Sequence, residues 1–169
     1  GADGHLAVFT NGGWRLILPQ AGWKAWVKDE GRAYFYDGTE WHGDAVIASP
    51  NGARISLEVM EFDHTLTSGV TNTTTQVIPA YSVVFGVTGR VTQAVTGSLA
   101  SWSLGVADST ARYGSGLLKP QSSWAFGLTG QPVSYFTETP LVFSAKSGTF
   151  SGGTVRLAVH LMRLGLPRI

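Results

Sequence analysis

Hydrolysis of a glycosidic bond needs two carboxyl groups flanking it, and downstream of His64 this chain carries only two acids, Asp108 and Glu138. Both lie in turn-like surroundings, "VADSTARYG" and "FTETP", where acids usually solvate or cap the chain. A hydrolase is therefore disfavoured. Glu61, Asp63 and His64 form the densest run of potential metal ligands, but strand alternation puts the two acids on one face and His64 opposite, with Met60, Phe62 and Leu66. Carboxylates at i and i+2 can contribute to a calcium site, but a solvated strand face is the preferred reading of the pair. His5, His42, His64 and His160 lack H-x-x-x-H spacing. Cysteine is absent, which removes thiolate ligands, disulfides and cysteine nucleophiles. No serine stands in a G-x-S-x-G elbow, and the glycines punctuate strands without forming a phosphate loop. Neither catalysis nor a metal or cofactor is expected.

What remains is recognition through aromatic rings. The C–H faces of sugars lie well on aromatic side chains, while their hydroxyls are met by polar groups at a wet rim. The expected carbohydrate-binding residues are Arg112 and Tyr113 in the glycine-bracketed "ADSTARYGSG", Trp124 after "KPQSS", Trp102 and Tyr135. Loops are where such residues are usually displayed. The competing reading of Trp102 and Trp124 is that each, inside a strand-like run, belongs to the core.

Charge bears on the partner. Residues 1–64 carry five Lys/Arg and nine Asp/Glu, whereas residues 65–169 carry seven and two, so a net charge of +1 conceals an acidic first part and a basic second part. A basic bias steers a domain toward acidic partners such as an anionic polysaccharide, lipopolysaccharide or nucleic acid. The cations are scattered singly from Arg90 to Arg168, not clustered into the stripe of a nucleic-acid binder, so nucleic acid is not expected. No apolar run approaches the ~18 residues of a membrane helix, so no membrane insertion is expected. No basic-then-apolar leader is visible at the start, and Gly1-Ala2 reads as a trimmed end.

The elements that must position these residues are strands. "AVFTNGGW" and "AYFYDGTEW" are near-copies in which aromatic and apolar residues run up to Asn11-Gly12 or Asp37-Gly38 and resume beyond. Such dipeptides favour the positive φ angles of tight hairpins. With further strands around Gln20-Ala21-Gly22 and Lys28–Gly31, residues 1–47 read as an aromatic meander of about four strands, with Trp14, Trp23, Trp26 and Trp41 stacked. Residues 48–54, containing Ser49-Pro50-Asn51-Gly52, read as a linker. From 55 to 169 short Ser/Thr/Val-rich strands alternate with Gly and Pro turns, the pattern of an antiparallel β-sandwich or jelly roll. In "TVRLAVHLMRL" Val155, Leu157, Val159 and Leu161 share one face, and Arg156, Ala158, His160 and Met162 the other. Gly89, Gly105 and Gly127 read as bulges or close backbone approaches. The fold expected is all-β throughout.

The stretch Gly4 to Trp41, "GHLAVFTNGGWRLILPQAGWKAWVKDEGRAYFYDGTEW", resembles a module found in tail and spike proteins of gene transfer agents and related alphaproteobacterial prophages. The resemblance rests on G-x-L-A, G-G-W-R, P-x-x-G-W-x-A-W-V, D-E-G-R and D-G-x-x-W. "VIPAYSVVFGVTGRVTQAVTG", "SWSLGVAD", "ARYGSGL" and "FSGGTVRLAVHLMRL" are more loosely similar to the β-rich domain that often follows it. The resemblance implies a virion spike or fibre, assembled in the bacterial cytoplasm, whose β domain attaches the particle to a surface polysaccharide such as capsule. It also implies contacts with other virion proteins and a homo-oligomer, a trimer or a pentamer. It names no catalytic residue. A structural adaptor anchoring the spike to capsid or tail, or a polysaccharide depolymerase, are the alternatives.

Overall fold

The computed structural model describes residues 4–169. All of its regular structure is β: β1 (Leu6–Thr10), β2 (Gly13–Ile17), β3 (Lys24–Val27), β4 (Arg32–Tyr36), β5 (Trp41–Gly43), β6 (Ala45–Ala48), β7 (Arg54–Thr65), β8 (Thr71–Ile78), β9 (Ser82–Gly97), β10 (Ser101–Val106), β11 (Ser109–Leu117), β12 (Trp124–Tyr135), β13 (Thr139–Lys146) and β14 (Phe150–Gly165). The chain divides into two compact units, residues 1–57 with 164–169, and residues 58–163. The segment 48–54 is not a linker. It closes the hairpin between β6 and β7, with the Ser49 hydroxyl accepting from the Ala53 N–H and the Gly52 N–H donating to the Ser49 carbonyl. The crossings between units fall inside β7 and β14.

In the first unit, β1 and β2 form a two-stranded hairpin with Thr10 opposite Gly13. Asn11 and Gly12 have φ of 49° and 78°, the doubly positive pair that a two-residue turn matching strand twist requires. β3, β4 and β5 form a separate three-stranded sheet. Here the turn is longer than the dipeptide implied, because Asp37 folds inward and its Oδ1 accepts the Thr39 and Glu40 N–H groups. The four tryptophans do not stack. Among the described residues the ring contacts of this unit pair Phe9 with Trp14 at 5.3 Å and Tyr36 with Trp41 at 5.1 Å, while Trp14 and Trp26 face solvent. The meander of four strands is thus a two-stranded hairpin and a three-stranded sheet.

A buried polar knot closes this unit. The Asp37 carboxylate meets His42 Nε2 at 2.8 Å and receives Arg168 Nη1, which also reaches Glu40 Oε1 at 3.0 Å. Arg168 Nη2 donates to the Pro50 carbonyl at 2.8 Å. Burial pushes the Asp37 carboxyl up, but the hydrogen bonds from His42, Glu40, Arg168 and Thr39 outweigh it and hold the group well below the usual carboxylate range. A carboxylate so satisfied stays ionised inside the protein.

The second unit is a two-layer sandwich. One layer runs β12-β9-β14-β7 and the other β11-β10-β13-β8. The pairs β7·β14, β8·β13, β9·β12 and β10·β11 are what results when one long antiparallel ribbon is rolled into two Greek keys, the jelly-roll arrangement. Alternation supplies the core: Val155, Leu157, Val159 and Leu161 of β14, with Val84, Val87 and Val91 of β9, meet Trp102 and Leu104 of β10 and Leu141 and Phe143 of β13. Met60 and Phe62 of β7 pack against the same core, and Glu61 and Asp63 are exposed on the opposite face, as the spacing predicts. His64 stacks on Phe143 at 5.0 Å. Its buried Nε2 has no hydrogen-bond partner among the described residues, and burial lowers its pKa. Gly127 is a close approach: a side chain there would collide with the Tyr113 backbone, so its absence lets β11 lie on β12.

Candidate functional site

The sequence-predicted residues separate into two groups. Tyr113 lies on β11, not in a loop, and is only 1% exposed. Its hydroxyl meets that of Tyr135, also buried, at 2.6 Å. Burial first, and the Tyr135 hydroxyl second, push the Tyr113 phenol far above its usual value, so it remains neutral. Arg112 completes this cluster: Nη1 donates to the Tyr135 hydroxyl at 3.2 Å, the guanidinium lies 5.9 Å from the Tyr135 ring centroid, and Nη2 reaches Asp108 at 3.3 Å. Trp102 is 1% exposed, packs on Phe143 at 5.4 Å and donates Nε1–H to the Leu118 carbonyl at 3.0 Å. Trp102, Tyr113 and Tyr135 are therefore corrected from binding residues to core residues. The glycines of "RYGSG" that suggested a loop sit within a bulged strand, with register shifts along β10·β11.

Trp124 is the exception. It is 64% exposed and stands on the outer face of β12 with Phe126, 69% exposed. Register places Trp124 opposite Arg90 and Phe126 opposite Thr88 on β9, and Arg90 and Thr88 in turn opposite Arg156 and Ala158 on β14. The small outward side chains of Thr88 and Ala158 on the two central strands leave a trough. Rings on β12 form one wall, and Arg156 with Glu61 of β7 line the other side; the open concavity measures about 830 Å³.

Polar groups converge on the trough. Arg156 holds Asp63 through both Nε and Nη2, at 2.7 and 2.9 Å. These hydrogen bonds lower the pKa of Asp63 and raise that of Arg156. Arg90 donates Nη1–H to the Ser122 carbonyl at 2.7 Å. Farther along the same face, Thr88 Oγ1 and His160 Nε2 lie 3.1 Å apart beside Phe85, Phe126 and Leu128. His160 is thus on the outer face its spacing assigns. Sequence reasoning missed Arg90, Phe126 and Arg156 as neighbours of Trp124. The W-x-F-x-L alternation of β12 was the available signal, since it leaves a row of large apolar groups opposite a strand face already occupied by the core.

Two other clusters have partners of their own. Asp108 is engaged by Arg112. Among the described residues, Asp37, Glu40 and His42 are the one set of three potential ligands within 4.8 Å of one another, and the Arg168 guanidinium already bridges its two carboxylates.

Comparison with known proteins gives three results. Residues 1–42 match the model of a family described as a protein of unknown function (DUF2793). No curated protein matches the chain. Among solved structures, the chain is similar to one titled "Cyanophage Pam1 capsid asymmetric unit", with 23% identity over 66% of this chain and 84% of that one, at a TM-score of 0.42.

Proposed function

We propose that this chain is a non-catalytic structural component of a phage-like particle, and that its jelly-roll unit attaches the particle to a bacterial surface polysaccharide. One observation carries the reading: solvent-facing Trp124 and Phe126 form the wall of a trough that also presents guanidinium, carboxylate and hydroxyl groups. Apolar ring faces with a few placed polar groups match the two sides of a sugar. The likeness of Gly4–Trp41 to a spike and tail module supports the virion setting. Many copies on one particle convert weak single-site binding into firm attachment, so a shallow, open site suits the role. The spike or fibre of a gene transfer agent, capsule as the polysaccharide, and a trimer or pentamer are the finer forms of this proposal.

An adaptor role has its own observation. The β1–β2 hairpin exposes Phe9, Trp14 and Leu16, and exposed apolar hairpins are sites where protein partners dock. The two readings separate in one experiment with the full chain. Polysaccharide attachment predicts sedimentation with encapsulated bacteria, lost on Trp124→Ala without a change in melting temperature and absent with capsule-deficient cells. Equal sedimentation of wild type and variant, or none with any cell, rejects the attachment reading.

A further inference from the structure

The trough has an internal imbalance that identifies its ligand more closely, given the polysaccharide reading above. Arg90 and Arg156 face each other directly across β9 and β14. Like charges at opposed positions destabilise a sheet. Asp63 relieves one of them by a two-toothed grip on Arg156, the strongest geometry for this pair. Among the described residues Arg90 has only the neutral Ser122 carbonyl, which fixes its Nη1 and leaves its charge without a carboxylate partner. On its other side Arg90 faces Trp124. One position therefore combines an exposed indole with a fixed guanidinium that no carboxylate among the described residues engages.

We propose that Arg90 and Trp124 form a seat for a carboxylate-bearing sugar of the uronic-acid class, the carboxylate on the guanidinium and the ring face on the indole. A guanidinium fork matches a carboxylate better than a point charge does. Across the trough Glu61 lines the site, and it disfavours a second anion close to the first. The pattern fits a glycan with spaced carboxylates among neutral sugars, and it disfavours a densely charged strand such as nucleic acid.

The test uses the full chain and immobilised polymers: hyaluronate, alginate and polygalacturonate, each beside its carboxyl-reduced form, with dextran and mannan as neutral polymers and single-stranded DNA as a dense polyanion. At least one acidic polymer is expected to bind, with carboxyl reduction and Arg90→Gln each weakening it at least tenfold. Arg90→Lys is expected to fall between, and Arg90→Gln to melt no lower than wild type because a like-charge pair has been removed. Undiminished binding of a carboxyl-reduced or neutral polymer overturns the acidic-sugar seat and leaves polysaccharide attachment standing. Tightest binding to DNA overturns the charge-spacing argument. Failure of every polymer counts against both proposals.

Discussion

The inner and outer faces of the jelly-roll unit use the same amino acids for opposite ends. Trp102 and Trp124 each follow a small residue in a strand-like run, "ASW" and "SSW". The first is enclosed by Phe143 with its indole N–H satisfied, and the second stands in water beside Arg90. The division extends to neighbours in sequence. On β7 Asp63 points outward to Arg156, while His64 points inward to Phe143. Aromatic content does not say whether a ring serves the core or faces solvent; the face it occupies does.

The largest expected effect tests that division directly. Trp102→Ala should cost about 3–5 kcal/mol of stability, the usual penalty for emptying an aromatic core position, whereas Trp124→Ala should stay within about 0.5 kcal/mol, as at exposed sites. Chemical denaturation of both variants provides the measurement, and equal losses would erase the distinction between the faces. Next in size is Tyr113→Phe, which removes the hydroxyl shared with Tyr135 and should cost about 1 kcal/mol with polysaccharide binding unchanged. A loss of binding at unchanged stability would restore Tyr113 as a site residue.

The smallest effect at neutral pH concerns His64. Burial depresses its pKa in the folded state, so the unfolded chain binds the proton more readily. The stabilisation is complete above the unfolded value of about 6.5 and is lost as pH falls below it. Stability curves from pH 8 to 5 should slope downward toward acid, and His64→Phe should flatten them. An unchanged slope would show that His64 is as accessible to protons as a residue on the outer face.

Much of the fold was legible because alternation is local. The two faces of β14, the sides taken by Glu61, Asp63 and His64, and the Asn11-Gly12 turn all follow from a period of two and from the steric freedom of Asn-Gly. The candidate site was legible only at Trp124. Deciding which face of β12 is covered requires knowing that β9 lies beside it and that the second layer packs on one side only, and both facts come from pairing across long sequence separations. The glycines near Tyr113 misled for a related reason: Gly114 and Gly116 accommodate bulges within a strand, a use that composition does not distinguish from a loop. Asp37-Gly38 appeared to repeat Asn11-Gly12, but the aspartate went inward to meet His42 and Arg168.

The ion pair between Glu58 and Arg163, 3.7 Å apart, has an evolutionary consequence. These are the first and last residues of the jelly-roll unit, and they lie on adjacent strands, so the unit leaves and rejoins the chain at nearly one point. A segment inserted that way can be exchanged for another with similarly close ends without rethreading its host. Such a junction lets one aromatic module carry different β-sandwich units.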